Sequence, residues 1–326
     1  GHHNKIEYFQ FRKKVDTDNR LKSVSEANGN IVQTIDYLPM VSSNGGLGNY
    51  PTDFYSVLSN SIYFSFPNHP NIALIKNENC YLVSRLTATV NGTSKYQDFK
   101  YRSYISNYNY GTVGFAQTAR SSWYLNPSDI KIWSINNYET ARGYIYSTFT
   151  HNDNTNIFNF SQSNIISQKY YNYSDYTNGL VINYRLDDVY SDDKISGVYT
   201  EENYQHDPDD YGLVTIKTVD YYQNNTLQGK TITTTSYDNN PNGTGKDYYI
   251  GRPNQINTST TYGGETRTSE EKLSYTNGNI THTEKKGHNT YAIVEDMTYD
   301  AVGNLLTKTV SAPNALPAPT ARTITD

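Results

Sequence analysis

Lys272-Leu273-Ser274-Tyr275-Thr276-Asn277-Gly278-Asn279-Ile280-Thr281-His282-Thr283-Glu284 decides the fold. Asn277-Gly278 separates two strand-like runs, 272–276 and 279–284. A two-residue type I′ turn needs positive φ at both central positions. Asn tolerates that conformation, and Gly has no Cβ to clash. The same pair separates 82–90 from 93–101 at Asn91-Gly92, and 21–25 from 30–37 at Asn28-Gly29. Strands joined this tightly pair antiparallel, because a parallel connection needs a long crossover. The pattern is that of a meander and not of βαβ units.

Alternation elsewhere agrees. Leu180, Ile182, Tyr184 and Leu186 share one parity against Val181, Asn183, Arg185 and Asp187. Leu82, Leu86 and Val90 stand against Arg85, Thr87 and Thr89, and Tyr291, Ile293, Met297 and Tyr299 against Asp296 and Thr298. Period two marks a strand with one buried face. One stretch reads otherwise: at 53–61, Phe54, Tyr55, Val57 and Leu58 follow Pro51-Thr52 and predict a short helix. Of the 326 residues, 33 are Tyr, whose rings can replace the aliphatic core that a hydrophobic fraction of only 35% would otherwise leave thin. Tyr, Thr and Ile favour strands, while Asn, Gly and Asp favour turns. The fold class expected is all-β, an antiparallel β-hairpin sheet in one continuous body over 5–310, most regular over 180–310. Residues 1–4 read as a tag remnant and 311–326 as a Pro/Ala-rich connector, so both ends look cut from a longer chain.

Several function classes fall away. A net charge of −5 with 18% charged residues argues against a nucleic-acid binder. No apolar run is long enough for a membrane-spanning helix, so no membrane insertion is expected. Cys80 stands alone, which excludes a disulfide framework, and reads as a buried structural thiol. His2 and His3 belong to the tag remnant. His69, His151, His206, His282 and His288 lack zinc spacing and read as exposed polar residues. Asp207, Asp209 and Asp210, with Asp187, Asp188, Asp192 and Asp193 upstream, lack EF-hand spacing and read as solvated turn carboxylates. Gly45-Gly46-Leu47-Gly48 has no Lys-Ser/Thr and reads as a loop, and no Gly-x-Ser-x-Gly elbow occurs. Trp123 and Trp133 read as core anchors. No catalytic residue, cofactor or metal is expected.

A degenerate repeat remains. Tyr299-Asp300-Ala301-Val302-Gly303-Asn304-Leu305 aligns with Tyr275-Thr276-Asn277-Gly278-Asn279-Ile280 and with Ala27-Asn28-Gly29-Asn30-Ile31, followed by Tyr37; Tyr237-Asp238 and Asp36-Tyr37 echo its first pair. In each full copy a turn Gly is followed by Asn and then Leu or Ile. A single hairpin cannot bury its own face, so stacked copies imply a rolled or spiralled sheet.

Tyr299-Asp300-x-x-Gly303-Asn304-Leu305 resembles the YD-repeat signature of rearrangement-hot-spot (RHS) proteins. Gly251-Arg252-Pro253 before a Thr-rich strand is similar to the segment entering such repeats in insecticidal toxin-complex shell proteins. Phe99-Lys100-Tyr101 followed by Tyr110-Gly111-x-x-Gly114-Phe115 resembles their aromatic segment. The resemblance implies a β-sheet ribbon spiralling into a shell-like wall that encloses a toxic C-terminal segment of a larger parent chain, secreted or at the bacterial cell surface. In related surface proteins such repeats are linked to carbohydrate binding. His206-Asp207-Pro208-Asp209-Asp210-Tyr211-Gly212-Leu213 echoes the family's aspartyl cleavage core, but it precedes the best repeats and reads as an acidic turn.

The Tyr clusters Tyr101, Tyr104, Tyr108 and Tyr110, and Tyr170, Tyr171, Tyr173 and Tyr176, have two readings. They line cross-strand ladders, or exposed rings such as Tyr104, Tyr108 and Tyr110 contact a glycan. The function expected is a non-catalytic shell or scaffold segment, with a carbohydrate-binding adhesin module as the alternative.

Overall fold

The computed structural model describes residues 8–11, 20–26, 31–42, 54–57, 71–74, 76–108, 111–178, 181–207, 211–315, 317 and 319–325. Among them the only helical pieces are 3-10 turns at Gln162–Asn164 and Gly245–Asp247. No helix is long and apolar enough to cross a membrane. The fold is all-β, and the chain packs as two compact units, residues 1–170 with 193–195 and residues 171–192 with 196–326.

The first unit holds β1 (Tyr8–Phe11), β2 (Leu21–Glu26), β3 (Ile31–Val41), β4 (Tyr55–Ser56), β5 (Asn71–Leu74), β6 (Lys76–Val90), β7 (Thr93–Asn107), β8 (Gly111–Ser121), β9 (Trp133–Tyr138), β10 (Ile145–His151) and the start of β11 (Ile165–Asn178). The pairs β1–β2, β2–β3, β3–β6, β6–β7, β7–β8, β8–β9, β9–β10 and β10–β11 are all antiparallel. β7 is the hub. Its first half pairs with β6, and its second half pairs with β8 on one edge and with the short β4 and β5 on the other. Met40, Phe54 and Tyr55 form one buried cluster there, joined by Tyr101, Tyr104 and Phe115. Ala119, Trp133, Ile135 and Ile157 form a second.

The second unit holds the end of β11, then β12 (Val181–Asp193), β13 (Val198–His206), β14 (Val214–Gln223), β15 (Thr226–Asn240), β16 (Tyr249–Tyr262), β17 (Glu265–Thr276), β18 (Asn279–Lys286), β19 (Ile293–Tyr299), β20 (Leu305–Ser311) and β21 (Arg322–Thr325). From β13 to β21 each strand is antiparallel to the next. Val189 and Ala292 are its only buried hydrophobic residues among those described. Cross-strand pairs take the place of a thick core. Tyr199 stacks on Tyr222 at 4.4 Å, and hydroxyls pair at Thr231–Thr260, Thr261–Thr266 and Thr298–Thr307.

Asn91-Gly92 and Asn277-Gly278 form the expected hairpins, with φ of 49° and 79°, and 52° and 88°. Asn28-Gly29, Gly45–Gly48 and Tyr110 lie outside the described residues. Two further hairpins turn on Asn224-Asn225 and Gly263-Gly264, both pairs at positive φ. The helix expected over 53–61 is not found in its described part, where β4 runs parallel to β7. Burial of the Tyr55 ring beside Met40, and its hydroxyl bonds to the Leu74 carbonyl and the Tyr104 amide, outweigh a weak helical pattern.

Other expectations also change. Trp133 anchors the core, but Trp123 is 44% exposed. Tyr291 precedes β19 and is exposed, as is Ile293, while Met297 and Tyr299 keep the inward parity. Cys80 is half-buried against the Met40 cluster. Residues 322–325, inside the expected connector, form β21. Asp187, Asp188 and Asp192 lie in β12 instead of a turn, and Asp192 is buried, accepting from the Tyr190 hydroxyl at 3.2 Å.

Candidate ligand pocket and tyrosine clasps

The repeat tyrosines share one device. Tyr37 sits directly after a register shift between β3 and β6, and Tyr237, Tyr275 and Tyr299 each sit directly after one with the following strand. A bulge adds a residue to one strand and re-aims the next side chain. Each ring then reaches back to the preceding strand: Tyr37 to the Leu21 carbonyl at 2.9 Å, Tyr237 to Val214 at 2.8 Å, Tyr275 to Pro253 at 3.0 Å and Tyr299 to Ile280 at 2.8 Å. Tyr101 makes the same bond to Val83 at 3.0 Å. Each hydroxyl thus ties a hairpin to its predecessor where the ladder runs out.

The turn after Tyr299 shows why Asp, Gly and Asn recur. Asp300 Oδ1 accepts from the amides of Val302 and Asn304, and Oδ2 accepts from Asn304 Nδ2. Those bonds, from the Asn304 side chain first, hold the Asp300 carboxyl below its ordinary range. Gly303 takes φ +97°, and Leu305 opens β20. Gly278 likewise has positive φ, and Asn279 and Ile280 open β18. Gly251, at φ +73°, donates to Asn239 Oδ1 at 2.7 Å. Arg252 lies over the rings of Tyr249 and Tyr275, 3.8 and 5.7 Å from their centroids. Pro253 supplies the Tyr275 acceptor. The structure therefore gathers Gly251, Arg252, Pro253, Tyr275 and Gly278 around one hairpin mouth.

A cavity of about 650 Å³ lies in the first unit, between β3, β6, β7 and the segments preceding and following β9 and β10. At its wall Asp98 accepts from Arg85 Nε at 2.7 Å, Lys131 Nζ at 2.9 Å and the Tyr124 hydroxyl at 2.8 Å. Burial alone would raise the Asp98 carboxyl, but these three donors outweigh it and hold it low. Lys100 also lines the cavity, its Nζ 5.5 Å from the Trp133 ring centroid. Burial, then the like charge of Lys131, pushes the Lys100 amine down to about 8.

The loop at 152–160 closes the far side. Asp153 Oδ1 accepts from Thr155 N and Oγ1 and from Asn156 N, at 2.8 to 3.0 Å, and the Asp153 carboxyl falls to about 2 through those bonds. Trp133 Nε1 donates to Asn154 Oδ1 at 3.1 Å, and Ile157 packs into the Trp133 cluster. His151, expected at the surface, is instead fully buried and stacked on Phe160 at 4.2 Å.

The fold resembles that of TcdB2-TccC3. Against that crystal structure the TM-score is 0.53 at 9% sequence identity, over 81% of this chain and 18% of that chain. At that identity the likeness is one of fold. No family model matches the chain, and no curated protein matches it.

Of the candidate glycan contacts, Tyr104 and Tyr108 are described and Tyr110 is not. Tyr108 is 80% exposed, whereas Tyr104 packs edge-on to Phe115 with ring centroids 5.1 Å apart. Among the described residues no three His, Cys, Asp or Glu side chains gather as metal ligands would. Sequence reasoning missed the cavity because its charged residues come from separate elements. Arg85 and Lys131 lie 13 and 33 positions from Asp98, and no local motif records them. For His151 a signal existed: it shares the parity of Ser147 on β10, and both are buried.

Proposed function

We propose that this chain is a wall segment of an RHS/YD-repeat shell or scaffold, enclosing or presenting a toxin or effector of a longer parent chain and running no reaction of its own. The recurrent clasp carries this reading: Tyr237, Tyr275 and Tyr299 tie successive hairpins together by the same hydroxyl–carbonyl bond after the same bulge. A wall must keep its strand edges paired against competing chains, and such ties oppose local opening. The likeness of fold to TcdB2-TccC3, a toxin-complex structure, supports the same reading. The partners on this reading are the remaining parent chain and its cargo, and the setting is secretion or the bacterial surface.

Protease protection tests it. The parent chain carrying this segment is treated with protease, and survival of the enclosed segment is followed by mass spectrometry. Protection that falls when Tyr237, Tyr275 and Tyr299 are all changed to Phe is the expected result. A cargo cut equally fast with and without this segment refutes enclosure.

A further inference from the structure

A second, smaller recess of about 170 Å³ opens beside the cavity and shares Lys100 and Ile157 with it. Arg102 lies two residues beyond Lys100 on β7, so both side chains leave the same face of the strand. The Arg102 guanidinium is held on its inner edge. Nε donates to Ser56 Oγ at 3.2 Å, and Nη1 donates to Gln117 Oε1 and Asn159 Oδ1, both at 3.1 Å. Gln117 is fixed in turn by donating to Asn137 Oδ1 at 2.7 Å, and Asn137 donates to Ser147 Oγ at 2.8 Å. Gln117, Asn137 and Ser147 are all buried. Phe158 covers the guanidinium face, its ring centroid 4.6 Å from Cζ.

This fork is rigidly held, and its three acceptors among the described residues are all neutral. Burial pushes the Arg102 pKa down to about 10, and no carboxylate among the described residues offsets it. The rest of the recess offers donors. Ser56 Oγ and Asn159 Oδ1 spend acceptor capacity on Arg102, which leaves the Ser56 O–H and the Asn159 amide hydrogens to donate. Thr155 turns its hydroxyl toward Asp153. Among the described residues lining the recess none is acidic. A concave site rich in donors, with a desolvated guanidinium and a second cationic side chain at its lip, suits a small group bearing negative oxygens.

We propose that the recess beside Arg102 binds an oxyanion group — carboxylate, sulfate or phosphate — whose parent molecule extends past Lys100 into the larger cavity. The combined volume suits a small molecule. The apolar residues Leu38, Phe54 and Phe99 and the Asp98 cluster line the part that receives its body.

The chain carries its own reporter. Trp133 lies under Lys100 and donates to Asn154 in the loop that walls the recess. With Trp123→Phe as background, Trp133 is the only tryptophan left. Its fluorescence is titrated with sodium sulfate, phosphate and acetate at constant ionic strength set with chloride. A saturable change with at least one of the three is expected, weakened by about tenfold or more in Arg102→Gln and in Lys100→Gln. Response to sulfate and phosphate alone assigns a tetrahedral anion, and response to acetate assigns a carboxylate. Arg102→Lys keeps the charge but loses the fork, and binds between wild type and Arg102→Gln. Should Arg102→Gln fail to fold, Lys100→Gln decides. No saturation beyond the chloride control, or equal affinity in wild type and Lys100→Gln, overturns the proposal.

Discussion

Acidifying from pH 8 to pH 5 loosens the loop at 152–160 through one buried imidazole, that of His151. Its Nδ1 accepts from the Asp153 amide at 3.1 Å, and its Nε2 faces the Ile157 carbonyl oxygen at 2.9 Å. A carbonyl cannot donate, so Nε2 carries the hydrogen and Nδ1 carries none. The ring is neutral by construction. Protonation would set an Nδ1–H against an amide N–H and place a charge in a site with no exposed surface. Burial accordingly lowers the His151 pKa, only partly countered by the Ile157 bond and the Asp153 carboxylate. In the unfolded chain the ring titrates near its ordinary value of about 6.5. Above that value the stabilisation is complete. It is lost as pH falls from there through the folded-state pKa, by at most about 1.4 kcal/mol per pH unit.

The assay is equilibrium urea unfolding at pH 8, 7, 6 and 5, for wild type and for His151→Gln. The Gln amide can still donate toward the Ile157 carbonyl, and it does not titrate. Wild type should lose stability relative to the variant as pH drops below about 6.5, and the Asp153 amide should lose hydrogen-exchange protection in the same window. Asp98, Asp153, Glu295 and Asp300 are all held below the ordinary carboxylate range, so their losses begin in more acidic solution. A stability difference between wild type and variant that stays constant from pH 8 to pH 5 refutes the account.

Tyr237→Phe, Tyr275→Phe and Tyr299→Phe each remove one hydroxyl–carbonyl bond while keeping the ring, at a cost of about 1 kcal/mol apiece in urea unfolding. The triple variant sums these losses, since each bond belongs to a different hairpin. Gly251→Ala should cost more than Gly303→Ala. Both positions have positive φ, worth about 1–2 kcal/mol against Ala. At Gly251 the added methyl also meets Leu213 Cδ2 at 3.1 Å, while at Gly303 it meets Asn279 no closer than 3.6 Å. Equal midpoints for the two variants would show that the Leu213 contact relaxes freely.

What could be read from the chain was what local chemistry forces. Asn277-Gly278 demands positive φ wherever it occurs, so its hairpin was legible, as was Asn91-Gly92. Gly263-Gly264 obeys the same rule, but the Thr-rich and Glu-containing flanks around it lack an alternating apolar run that would mark the strands. The tyrosine of each repeat was legible and its bond was not. The bulges at Ser236/Tyr237 and Ser274/Tyr275 depend on the register of the following strand, and no residue of the repeat encodes that register alone. The Arg102 fork lies further still from sequence reading, since Ser56, Gln117 and Asn159 reach it from positions 46, 15 and 57 residues away.

The two units solve one physical problem differently. In the first, aromatic and aliphatic side chains from β3, β4, β7 and β8 meet in a buried cluster, and polar groups such as Arg102 and His151 are held inside with their partners. Burial of that kind fixes geometry tightly enough to shape a cavity. In the second, Val189 and Ala292 are the only described apolar residues that are buried. An isolated hairpin is marginal in water, so each one must draw on its neighbour. A tyrosine after a bulge does this economically: its ring half-covers the sheet and its hydroxyl caps a carbonyl that the ladder has released. Stability then depends on nearest-neighbour coupling, which lets the number of strands vary without redesigning a central core. That is the property the proposed wall segment would need. It also explains why tyrosine, with an apolar body and a polar tip, outnumbers phenylalanine 33 to 10 in this chain.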